Sequence, residues 1–456
     1  MWWMGVAAAA TWTVQVEGGT HTDLQTALDD AADGDRIEVG PGTWIGPFNP
    51  GGKDLSVVGV QGAELTILDG QGVDDQPVWN LDSGEPVSFT LQGFTITGGT
   101  GRRYSWDTGT GWMGGGVHLR ESSATIRDCV FTGNVAVHTG QSVGAGVALI
   151  GAELVLEDTV FSDNTAYYGG GGVVVINGTA TLTDVAFSGN TGNRGGALAV
   201  VQGSHVDLVD STFTDNVGGT GGAIWVKDAT VSSTRSTLSG NRAWHSGGTL
   251  AVQDGSFAGV ELHLRDGQAE YDGGHVALIG GQLQLWTSTI LGGRARAGGG
   301  IMAREAASAV TLDGVGMGDN QATAGGGDVW LAQGTAALSN VTSWMAQARD
   351  GAFVWLGAGA TATVVNAVVV SPTGSAVQGV GAVTLDWSYA LFEDVETWFG
   401  GVVTEVDATE GAAKLIDPGA GDFSAGSAVQ DAGDPGILDR DGSRSDLGAT
   451  GGPKGL

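Results

Sequence analysis

Phe187-Ser-Gly-Asn190-Thr-Gly-Asn-Arg-Gly195-Gly-Ala-Leu198-Ala-Val200 holds both halves of a phrase that the chain keeps repeating. Its second half, two small residues followed by an alternating apolar triplet, recurs with the triplet starting at Val117, Val147, Val173, Leu198, Ile224, Leu250, Val276, Ile301 and Val329. The steps are 30, 26, 25, 26, 26, 26, 25 and 28 residues, a period that marks a solenoid. The first half, Phe-x-x-Asn, keeps time with it at Phe131/Asn134, Phe161/Asn164, Phe187/Asn190 and Phe213/Asn216, then as Leu238/Asn241 and Met317/Asn320.

Each repeat reads as one rung. The first and third residues after the small pair, such as Val117/Leu119, Leu198/Val200 and Val329/Leu331, fall on one side of a strand and should line the core. A second alternating run ends at a corner residue, Asp128, Asp158, Asp184, Asp210, Asp313 or Asn340, and a third short strand carries the Phe. Asp and Asn suit such corners because their side chains bond to nearby backbone and tolerate left-handed angles. Stacked Asn134, Asn164, Asn190, Asn216 and Asn241 should share hydrogen bonds from rung to rung.

A solenoid grows by adding coils, so 456 residues need not imply several domains. The 83 glycines lack a Gly-X-Y period and belong to turns rather than to collagen. Against 50 acidic residues stand 19 Lys and Arg, a net −31 without a basic block, which makes nucleic acid and anionic membranes poor partners. The lone Cys129 aligns with Thr159, Val185 and Ser211 and reads as a small buried residue. No apolar stretch is long enough for a membrane helix.

Both ends read as caps that protect the solenoid's edges. Residues 1–10 form a short signal-like segment without a basic start. Thr22-Asp-Leu-Gln25 reads as a capping box opening a helix with Leu24, Ala27, Leu28 and Ala31 on one face. The expected layout is a β-helix with its N-terminal cap over 11–363, repeats at 114–355, and last coils with an irregular cap over 364–456.

These motifs resemble the pectin-lyase-like right-handed parallel β-helix proteins. The likeness rests on Gly34-Asp-Arg-Ile37, Pro41-Gly-Thr-Trp44 and Ile67-Leu-Asp-Gly70 at the start, and on Asp422-Phe-Ser-Ala-Gly426 and Asp439-Arg-Asp-Gly442 near the end. The Gly-Gly-Ala-Ile and Phe-x-x-Asn phrases resemble repeats of polymorphic outer-membrane proteins. The resemblance implies an all-β, right-handed parallel β-helix with three strands per coil and an N-terminal helix cap. It also implies an extracellular or outer-membrane-associated life, and leaves the chemistry open, because this fold carries lyases, hydrolases and adhesins alike.

Catalysis would need a carboxylate pair at working separation, or a calcium cluster with a cationic base. The seven histidines share no register, and the closest approach to a cationic site is Arg294, Arg296 and Arg304 around one Gly-Gly turn. No catalytic residue is assigned. For binding, the insertion at 98–113 brings Arg102, Arg103, Tyr104, Trp106 and Trp112 together, to stack on sugars and pair with acidic groups or else to fold back over the coil. The middle residues of the apolar triplets, among them His118, Trp225, Met302, Trp330 and Trp355, should face outward as an apolar column. That column is either a contact surface, for self-association or a partner, or ground covered by loops or by the C-terminal segment. Asp439, Asp441 and Asp446 sit in a Gly-containing turn that suits calcium weakly, against the reading of a turn locking the last coil; no other cofactor is expected. The expected function is a non-catalytic exported or surface scaffold or adhesin binding a glycan or protein through its lateral faces and the 98–113 loop. The alternative is a polysaccharide lyase or glycoside hydrolase.

Overall fold

The structure, a computed structural model, describes residues 9–106, 109–136, 142–395, 397–401, 408–410, 432–434, 437 and 443–449. It is nearly all β, a parallel β-solenoid of about 14 turns with 2% helix. The chain forms two compact units, one of residues 1–193 and 197–207, the other of residues 194–196 and 208–456.

The first unit opens on the strand Thr11–Val14, the helix Leu24–Asp30 and the strand Arg36–Val39. Leu24, Ala27 and Leu28 are buried as expected, but the N-cap is Asp23, one residue later than the capping-box reading. Its carboxylate accepts from the Thr26 amide at 2.8 Å, which a cap at Thr22 would leave to water. Lys53 Nζ donates to the carbonyls of Leu28 and Asp29 and satisfies the other end.

A typical rung then runs Val117–Arg120 on a first face, Ala124–Arg127 and Val130–Thr132 on a second, and Val135–Ala136 on a third. The two middle strands share a sheet across a corner in which Asp128, Asp158 and Asp184 hold φ of 51°, 47° and 54°. The third face is built from residues after the ladder asparagine, where the repeat phrase showed no strand. Inside, Phe131, Phe161 and Phe187 stack at centroid spacings of 4.7 and 5.0 Å. Beside them Asn134 Nδ2 donates to Asn164 Oδ1 and Asn164 Nδ2 to Asn190 Oδ1, both at 3.0 Å. Cys129 is buried, and its thiol, pushed up to about 12 by burial, points at the Leu91 carbonyl.

The second unit repeats the scheme with longer strands, Ala309–Gly318, Thr335–Trp344, Thr361–Val370 and Thr384–Glu393, which run straight through the corner. Asn340 takes the left-handed corner at φ 53°, but Asp313 does not; Gly314 at φ 65°, set opposite Asn340 by the flanking pairs Asp313 with Ser339 and Val315 with Val341, takes it one residue later than the sequence suggests. On the third face six parallel strands, Val217–Thr220, Arg242–Ser246, Gln268–Ala269, Arg294–Ala297, Gln321–Gly325 and Gln347–Asp350, lie side by side. Near the chain's end Leu447 packs with Val368, Val370 and Leu391, while the Ala449 amide donates to Thr342 Oγ1. This segment covers the second face.

Candidate functional site

The middle residues of the apolar triplets do not form an exposed strip. His118, Ala148 and Val174 in the first unit are at most 2% exposed, and Trp225, Ala251, Ala277 and Met302 in the second at most 5%. The cause is the glycine that turns the third face into the first. At Gly144, φ 63°, an added Cβ would stand 2.6 Å from Val174 Cγ1, and at Gly298, φ 63°, one would stand 2.9 Å from Met302 Cβ. The turn itself covers the column. Trp225 lies under the Arg194 guanidinium at 4.9 Å, and Trp330 and Trp355, half-buried, stack on each other at 4.0 Å. Burial, with the Arg102 charge adding to it, pushes His118 down to about 4, so its imidazole is neutral near pH 7.

The 98–113 insertion is an antiparallel hairpin, Arg102–Trp106 with Gly109–Met113. Its described side chains are engaged with the coil or with each other. Arg102 bonds to Asn80 and Asp82, and the Trp112 indole N–H donates to Asp75. Arg103 sits over Trp112 at 5.9 Å, and Arg120 covers the Tyr104 ring at 5.0 Å. The side chain of Trp106 lies outside the described residues. So do Asp439 and Asp441, while Asp446 is half-buried in the covering segment. Among the described residues no three His, Cys, Asp or Glu converge as a metal site would require.

What the structure does assemble is a trough on the third face of the second unit. Arg242, Gln268, Arg294, Gln321 and Gln347 pair in register, one per rung, and Gln347 bridges on to Thr373. Two residues further along each strand stand Trp244, Glu270, Arg296, Thr323 and Arg349, a second ridge on the same side. Between the ridges the residue is always alanine, at 243, 269, 295, 322 and 348; it turns toward the coil, so the floor is strand backbone. Two adjoining hollows of about 440 and 510 Å³ follow this floor and share Arg294, Ala295 and Thr323.

The charge here runs against the rest of the chain. Four arginines line the trough, and among the described residues its lining holds one carboxylate, Glu270. Arg242 approaches Glu270 at only 3.9 Å in an exposed setting, where such a pair is worth little. Arg296 and Arg304 both reach the Asp272 carboxylate, at 3.5 and 3.6 Å, and this fixes Arg296 on the wall. Among the described residues Arg294 makes no ion pair, and Arg349, its side chain 83% exposed, approaches its neighbour Asp350 at 3.8 Å. Gln321 and Gln347 donate to Asp319 Oδ1 at 3.1 and 3.3 Å, which orders their amides. At the Arg242 end Trp244 and Tyr271 are each 49% exposed, and His245 stacks on Tyr271 at 6.1 Å.

Arg294 and Arg296 were visible in the sequence as cations near a Gly-Gly turn, whereas the ridge was missed. The legible signal was the residue after each ladder position, which is short at Val135, Thr165 and Thr191 and long and polar from Arg242 to Gln347.

No helix among the described residues is long and apolar enough to cross a membrane. No curated protein matches the chain. Among solved structures, a lacto-N-biosidase from Eubacterium ramulus aligns at 11% identity and TM-score 0.38, covering 83% of this chain and 68% of that one. A mannuronan C-5 epimerase A-module from Azotobacter vinelandii aligns at 13% and 0.29, covering 85% and 94%. The tailspike protein of an E. coli bacteriophage, in complex with a pentasaccharide, aligns at 13% and 0.24, covering 85% and 74%. Residues 88–269 match the family model described as a right handed beta helix region, and the fold is a right-handed parallel β-helix.

Proposed function

We propose that this β-helix is an exported or surface-held, non-catalytic scaffold that holds an acidic glycan along the third-face trough of its second unit. The observation that carries the reading is the in-register row Arg242, Gln268, Arg294, Gln321 and Gln347 beside a floor of strand backbone. Arginine forks pair with carboxylate or sulfate, amides serve hydroxyls, and exposed Trp244 and Tyr271 offer flat faces for sugar rings. A chain of net charge −31 gains nothing in solubility from gathering four arginines on one face, so the cluster favours a ligand.

The carboxylates favour binding over hydrolysis by paired acids. Glycoside hydrolysis by paired acids needs two, and among the described residues the trough lining has only Glu270. The triple variant R242Q/R294Q/R349Q tests the reading. It should melt as the native chain does, because these side chains are exposed, and lose about tenfold or more in affinity for acidic glycans. Unchanged affinity would sink the proposal.

A further inference from the structure

We infer that the trough, read as a glycan site, selects a β-linked chain in which acidic and neutral sugars alternate. Successive rungs are about 4.8 Å apart, so residues two rungs apart are separated by about 10 Å. The first of these steps is close to the length of one pyranose in an extended β-linked chain, and the second to a disaccharide. A glycan laid along the ridge therefore meets one rung per sugar.

On the first ridge the rungs read Arg242, Gln268, Arg294, Gln321, Gln347, and on the second ridge Arg349 stands in the rung of Gln347, so a positive charge stands on the first, third and fifth rungs. The intervening rungs do not tolerate a second anion. Glu270 stands in the rung of Gln268, and Asp319 holds the amides of Gln321 and Gln347. A carboxylate at the Gln268 rung would meet Glu270, and one at the Gln321 rung would approach Asp319, whereas a hydroxyl or acetamido group would find an amide partner. Specificity then comes as much from this repulsion as from the arginines.

The test compares three length-matched hexasaccharides: hyaluronan, alternating uronate with a neutral N-acetylated sugar; oligomannuronate, with a carboxylate on every sugar; and neutral cellohexaose. Calorimetry on the full chain should rank hyaluronan first, about tenfold or more above oligomannuronate. R294Q should weaken hyaluronan most, and Q268R/Q321R, which fills the neutral rungs with charge, should narrow or reverse the ranking. Oligomannuronate bound as tightly as hyaluronan by the native chain would overturn the alternation while leaving an acidic-glycan trough in place. A hyaluronan preference that survives R294Q would also overturn it, and binding of none of the three would overturn both readings.

Discussion

The asparagine ladder shows how single residues set the fold and how the chain compensates where the ladder stops. Asn216 and Asn241 continue it in the second unit, with Asn216 Nδ2 donating to Asn241 Oδ1 at 3.1 Å. The next two positions are Gly267 and Gly293, and His275 fills the space. Its Nε2–H donates to the Leu291 carbonyl at 2.8 Å, so Nδ1 accepts from Thr249 Oγ1 at 3.2 Å. A Cβ on Gly267 would stand 2.5 Å from His275 Nδ1. G267N should therefore destabilise the second unit by about 2 kcal/mol or more, and G267N/H275A should recover part of that loss, a coupling read from denaturant midpoints of both single variants and the pair.

Asp328, in the same column as His275, is fully buried and bonds to Asn320 and Ser343. Burial pushes its carboxyl up to about 7 against those two hydrogen bonds, while burial pushes His275 down to about 4. The folded state thus favours the proton on Asp328, whose contribution is full below the ordinary carboxylate range and is lost as pH rises toward 7. His275 contributes in the opposite sense, losing stability as pH falls from its ordinary value toward 4. Across pH 4 to 7, D328N should gain on the native chain by up to ~4 kcal/mol and the difference should level above 7. Denaturant melts at several pH values read this directly, and a difference that stays flat from 4 to 7 would refute the assignment.

Among the elements, the first two faces were legible in the sequence and the third was not, for a physical reason. The first-face triplets and the Phe-x-x-Asn strands bury large apolar residues at period two, and that alternation is readable without coordinates. The third-face strands bury alanine, glycine and serine, as at Ala243, Gly218 and Ser246, so their inward positions carry no strong hydrophobic signal. Missing that face led to the expectation that Trp225 and Met302 face solvent, when the glycine turn leaving it covers them. The hairpin Arg102–Trp106 and Gly109–Met113 was legible as an insertion rich in cations and aromatics, but not as one that spends Arg102 and Trp112 on Asp82 and Asp75. R102M/W112F should therefore leave glycan affinity within about twofold and speed proteolysis between residues 98 and 113, since removing those bonds frees the strand pair. A large loss of affinity would return the hairpin to the binding site.

For the whole molecule, a regular coil turns a one-residue choice into a long feature, because each position recurs at every rung. The same arithmetic that stacks phenylalanines inside stacks arginine and glutamine outside, so a binding surface needs no loop of its own. The net charge of −31 sets a background against which four trough arginines matter, and binding to them should weaken as salt rises because the site is open to solvent. The most direct test is titration of acidic and neutral polysaccharides into the full chain and R242Q/R294Q/R349Q, at low and high salt, with new reducing and unsaturated ends followed in the same samples. The account predicts salt-sensitive binding of acidic glycans by the native chain, its loss in the triple variant, and no new ends. New ends, or affinity that ignores the three substitutions, would contradict it.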